Sequence, residues 1–186
     1  MKNISGSAFL FSRDDIDTDL IIPAKYLTTA DPRELAWHVL EPLRGDDQLL
    51  VAGGQLELPE KSTEKISEET ALIDEEKFRA PIVVAGKNFG CGSSREHAVW
   101  ALAGAGAVAV IAESFARIFF RNSINFGLPT VTLPQATKKI SAGDKIEIDF
   151  EKNEIHNLSK DEKYEFNPLP EFLREIVEAG GLLNQI

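Results

Sequence analysis

One cysteine, Cys91, in 186 residues leaves no internal disulfide to form. Histidine is also scarce: His38, His97 and His156 are far apart and show no H-x-x-x-H spacing, so metal ligation by this chain is a poor reading. No long apolar run exists. The longest, 98–112, is broken by Gly104 and Gly106 and is too short to cross a bilayer. Met1-Lys2-Asn3-Ile4 runs straight into Ser5-Gly6-Ser7 without the apolar stretch of a secretion signal, which suggests a cytoplasmic protein. Basic residues are in deficit, 20 against 30 acidic, for a formal charge of −10. Nucleic acids and anionic membranes need basic patches, so neither is an expected partner. No internal repeat is visible.

What the chain does have is concentrated at residues 86–98, Gly86-Lys87-Asn88-Phe89-Gly90-Cys91-Gly92-Ser93-Ser94-Arg95-Glu96-His97-Ala98. The apolar run Pro81-Ile82-Val83-Val84-Ala85 predicts a buried strand before it, and an alanine-rich run after it predicts a helix. A strand, a Gly-rich turn and a helix N-terminus present free amides and the positive end of a dipole. Arg95 adds a planar fork suited to a carboxylate or phosphate. The segment reads as an anion cradle with hydroxyls beside it. It is not a P-loop, because Gly92 is followed by Ser93-Ser94 rather than Lys-Ser or Lys-Thr, and Arg95 stands where a dinucleotide fingerprint needs its third glycine. Ser93 and Glu96 have capping-box spacing, and a Ser93 cap is the plainer role for that serine. Capping leaves unexplained why an arginine sits at the positive end of a helix. Cys91 reads as a small side chain tolerated between two glycines, oxidisable at a helix N-terminus.

These residues carry a resemblance. Gly-Ser-Ser-Arg-Glu-His-Ala after Lys-Asn-Phe-Gly-Cys resembles the swivel domain of the aconitase superfamily, and more narrowly the 3-isopropylmalate dehydratase small-subunit family. Three further segments agree with it: Asp14-Asp15-Ile16-Asp17-Thr18-Asp19-Leu20-Ile21-Ile22-Pro23-Ala24-Lys25-Tyr26-Leu27, Ser114-Phe115-Ala116-Arg117-Ile118-Phe119-Phe120-Arg121-Asn122-Ser123, and Pro168-Leu169-Pro170-Glu171-Phe172-Leu173 with Ala179-Gly180-Gly181-Leu182. The resemblance implies an α/β fold of three layers, β/β/α, and a hydro-lyase that moves a hydroxyl between adjacent carbons. It implies Ser93 as the base, with Ser94, Arg95 and Gly92 on a substrate carboxylate. It also implies a [4Fe-4S] cluster. Such clusters are held by several thiolates, so with Cys91 alone the cluster is expected on a separate large subunit and no cofactor or metal on this chain. Family members acting on tricarboxylates carry an arginine just after the segment matching Tyr26. Leu27, Thr28 and Thr29 stand there instead, and a buried extra carboxylate without a cation would cost several kcal/mol. These three residues suit an aliphatic branch, and isopropylmalate is the expected substrate. The alternatives are a related hydro-lyase acting on homoaconitate, citraconate or methylmalate, or dimethylmalate, and a non-catalytic anion-binding module. His97, four residues after Ser93, raises a Ser–His dyad, but a packing or capping histidine is preferred.

The rest of the chain supports one swivel domain over 1–186. Strands are predicted at 6–11, 107–112 and 128–133, helices at 98–103, 115–122 and 170–179, and a hairpin with alternating apolar residues from 144–150. Asp31 and Pro32 predict a helix start. The aspartates at 14, 15, 17 and 19 lack the glycine and glutamate of a calcium loop and suit turns, caps and the shaping of a cleft. An acidic insertion is expected at about 41–80, where eleven acidic residues face five basic ones. Short strands at 49–52 and 55–58 and a solvated segment at 61–69 are expected inside it.

Overall fold

A computed structural model describes residues 1–43, 50–51 and 81–185. The apolar runs of the sequence become strands. β1 (Ile4–Phe11), β3 (Pro81–Ala85), β4 (Ala109–Ala112) and β5 (Thr130–Thr132) lie parallel, in the order β5-β4-β3-β1. β6 (Lys145–Asp149), β7 (Glu154–Asn157) and β8 (Glu162–Glu165) continue the same sheet as an antiparallel meander beside β1. β1 pairs with β6 over Ile4–Ser7, while β2 (Leu50–Val51) pairs at Leu10 and Phe11. The expected strands at 55–58 and the charged segment at 61–69 lie outside the described residues.

Alternation along the parallel strands explains the layers. Phe9, Phe11, Val83, Ala85, Val110 and Ala112 face one core, shared with the helices. Ala8, Leu10, Ile82, Val84, Ala109 and Ile111 face a second, shared with Ile146, Ile148, Phe150 and Ile155 from the meander. The antiparallel strands therefore curl back over the parallel ones, and the helices α1 (Thr18–Ile21), α2 (Pro32–Ala36), α3 (Glu96–Gly104) and α4 (Arg117–Phe126) cover the other face. This is the β/β/α arrangement. A buried parallel sheet needs cover on both faces, which is why β3 and β4 are apolar at every position.

Local signals account for most helix ends. Asp31 caps α2 through Arg33 N at 2.9 Å with Pro32 at its first position. Two positive-φ glycines, Gly180 and Gly181, separate α6 (Glu171–Glu178) from α7 (Leu182–Gln185). The short α5 (Ala136–Lys139) follows β5. The short helices α1, α5 and α7 and the strand β8 carry no clear signal in the sequence. α1 lies within the stretch treated as an aspartate loop, capped by Asp17 through Leu20 N at 2.8 Å. β8 is a largely exposed edge strand, Glu-Lys-Tyr-Glu, with no apolar pattern to reveal it.

Candidate functional site

The parallel strands end together, and the segments leaving them build the site. Residues 86–95 leave β3 and pass between the segment after β1 and the segment after β4. Asp15 N donates to Lys87 O at 2.9 Å, Gly90 N to Ile16 O at 2.8 Å and Thr18 N to Cys91 O at 2.8 Å. On the other flank Phe89 N donates to Ser114 O at 3.0 Å and Ala116 N to Phe89 O at 2.9 Å. The loop is thus laced on both sides, as though a short strand continued the sheet beyond its edge. The crevice outside the carboxyl ends of parallel strands is where open α/β sheets bind ligands.

The aspartates hold this loop in place. Asp14 accepts from Lys87 N at 2.7 Å and Asp15 from Asn88 Nδ2 at 2.7 Å. Asp19 pairs with Arg95 Nη1. Gly90 has φ +76°, and a Cβ there would lie 2.2 Å from the Phe119 ring. Phe119 in turn stacks edge-to-face on Phe89 with centroids 5.1 Å apart. An aromatic wall therefore sets the path of the loop, and only glycine follows it.

The sequence-level candidates fall together here. Gly92, Ser93 and Ser94 are exposed, and the two serine hydroxyls have no partner among the described residues. Arg95 is largely covered, its side chain 17% exposed. One expectation is overturned. Ser93 does not cap α3, and no capping box forms: the N-cap is Arg95, with no side-chain hydrogen bond, and the helix begins at Glu96. Ser93 is held outside the helix because its carbonyl accepts from Thr18 Oγ1 at 3.2 Å and from Arg95 N at 2.8 Å. The consequence favours the cradle, since no side chain occupies the first amides of α3. The Ser–His dyad loses its premise as well, because Ser93 and His97 do not share a helix face. His97 lies against Trp100, with ring centroids 4.8 Å apart.

Cys91 sits four positions before the N-cap of α3, away from the helix terminus that would activate it. Burial pushes its thiol up from the ordinary value, and the Asp17 and Asp15 carboxylates add to the shift. One thiol so disposed does not fit an iron–sulfur cluster. Among the described residues no three His, Cys, Asp or Glu side chains converge as a metal site.

Leu27, Thr28 and Thr29 lie between a 3-10 turn (Ala24–Tyr26) and α2. Leu27 is partly buried against the helix-side core, Thr28 is exposed, and Thr29 Oγ1 accepts from Asp31 N at 3.2 Å. The Arg33 side chain is 86% exposed and pairs with Asp31 at 3.1 Å.

Fold and loop together define a class: an α/β unit carrying serine hydroxyls, a guanidinium and open helix amides at the carboxyl edge of a parallel sheet. Comparison with known proteins narrows it. The Aconitase C-terminal domain family matches residues 6–136. The chain is 48% identical over 178 residues to a 3-isopropylmalate dehydratase small subunit 1 of Archaeoglobus fulgidus, covering 96% of this chain and 93% of that one. It is 46% identical over 183 residues to the small subunit 1 of Methanopyrus kandleri, covering 98% and 92%. A crystal structure of 3-isopropylmalate dehydratase from Methanocaldococcus jannaschii superposes with a TM-score of 0.74 at 41% identity, covering 98% and 92%. The chain belongs to the 3-isopropylmalate dehydratase small-subunit family, within the aconitase C-terminal domain family.

Proposed function

We propose that this chain is the small subunit of 3-isopropylmalate dehydratase, interconverting 2- and 3-isopropylmalate by dehydration and rehydration in leucine biosynthesis. It works in the cytoplasm with a larger subunit that holds the [4Fe-4S] cluster, since the thiol inventory of this chain does not fit one. The observation that carries the reading is the pair of open hydroxyls, Ser93 and Ser94, beside Arg95 at a helix start with no side-chain cap.

Ser93 is the base that takes the C–H proton in dehydration and returns it in rehydration. A serine hydroxyl needs stabilisation of its alkoxide to act so, and the open amides of α3 with the adjacent guanidinium supply it. Ser94, Gly92 and Arg95 hold a substrate carboxylate. Only one Arg95 nitrogen is engaged by Asp19, so the rest of the fork serves the ligand. Leu27, Thr28 and Thr29 take the aliphatic branch; Arg33 is paired with Asp31 and Lys25 with Glu41, so neither is reserved for a third carboxylate.

The test is co-purification with the cognate large subunit and an anaerobic isomerisation assay on 2-isopropylmalate, citrate and homocitrate. The expected result is turnover of 2-isopropylmalate by the mixture alone. Turnover confined to a tricarboxylate overturns the substrate reading, and absence of association overturns the subunit reading.

A further inference from the structure

Four polar side chains gather at the neck of the 27–29 loop. Tyr26 ends the 3-10 turn before the loop, and His38 follows α2 after it. Their rings stack, with centroids 3.5 Å apart and planes 8° from parallel. The stack closes residues 26–38 into a ring in space, as the ends of an Ω-loop are closed. Glu41 ties both ends: its Oε1 accepts from Lys25 Nζ at 2.8 Å, and its Oε2 lies 3.3 Å from His38 Nδ1. Lys25 Nζ also sits 4.7 Å over the Tyr26 ring. Behind Glu41 the backbone is firm. Leu40 N donates to Ile21 O at 2.8 Å, and Val39, Leu40 and Leu43 are buried.

Global stability does not account for this cluster. The Lys25 side chain is 62% exposed, and exposed ion pairs of this kind add little to the stability of a fold. The cluster does act on position. Leu27, the first residue of the loop, packs against the core beside Tyr26, and its amide donates to Ala24 O at 3.2 Å within the turn that carries Lys25. The far end of the loop is held independently by Thr29 and the Asp31 cap. Tyr26 and Leu27 are thus carried by one turn and pack on one core.

We propose that Lys25, Tyr26, His38 and Glu41 form a clamp that sets the position of Leu27–Thr29 and so sharpens selection of the substrate's branch, with Glu41 as the positioning residue. The specificity part rests on the function proposed above; the clamp itself rests on the contacts alone. Two measurements separate them. In the isolated chain, amide hydrogen exchange at residues 26–29 should be about fivefold faster in Glu41→Ala than in the wild type, the size an exposed charge network supports, with α3 unchanged. In the reconstituted enzyme, the same variant should lower the kcat/KM preference for 2-isopropylmalate over 2-methylmalate about fivefold, mainly through KM, with Glu41→Gln in between because it keeps the acceptor without the charge. Unchanged exchange overturns the clamp. Faster exchange with an unchanged preference overturns its role in selection, and so does a loss that tracks only weaker subunit association. If the wild-type complex turns over another hydroxy acid, the function proposal fails, and the preference is read on that acid and its shorter-branched analogue.

Discussion

Replacing Arg95 by Lys keeps the charge and removes the planar fork, and the structure indicates what that costs. The guanidinium is mostly covered, and one of its nitrogens is committed to Asp19, whose own side chain is 57% exposed. An ammonium at this position is a point donor that has to choose between Asp19 and a substrate carboxylate. One or two charge-assisted hydrogen bonds to the ligand are then lost, about 2–4 kcal/mol, or roughly 30- to 1,000-fold in kcat/KM. Stability should change by less than about 1 kcal/mol, because the Asp19 partner is largely solvated. The assay is steady-state isomerisation by the reconstituted enzyme, with melting temperature and subunit association measured on the same preparation. A kcat/KM within about threefold of the wild type would refute the carboxylate role of Arg95. So would a loss explained wholly by failure to bind the large subunit.

Ser93→Ala should abolish turnover while melting temperature and subunit pairing stay as in the wild type; normal turnover sinks the base assignment. Gly90→Ala places a Cβ against Phe119 in a left-handed backbone, which should cost about 2–4 kcal/mol and lower the melting temperature by roughly 8 °C in calorimetry. A drop of only about a degree would mean that the aromatic wall yields. Because burial and the neighbouring aspartates raise the Cys91 thiol above its ordinary 9.0, its thiolate appears only at higher pH. Iodoacetamide should therefore label Cys91 more slowly than a free thiol at pH 8 and catch up as pH rises; fast labelling at neutral pH would contradict this.

The sequence by itself determined the apolar strands, the start of α2 and the place of the Gly-rich loop. Ile82 to Ala85 and Ala109 to Ala112 are apolar throughout because both faces of those strands are buried, and that pattern is local. Asp31-Pro32 and Gly180-Gly181 act through backbone chemistry within a few residues, so their roles were legible too. The exposed β8 strand was not, because an edge strand needs no apolar face and leaves no period to read. Tertiary structure alone decided the state of Ser93. Its spacing from Glu96 fits a capping box, yet Thr18, seventy-five residues earlier, holds its carbonyl outside the helix and leaves the first amides of α3 without a side-chain cap. The partners of the aspartates were likewise invisible: Asp14, Asp15 and Asp19 answer Lys87, Asn88 and Arg95 across the sheet edge. Local preferences act over one turn of chain, whereas these contacts exist only once β1 and β3 lie side by side.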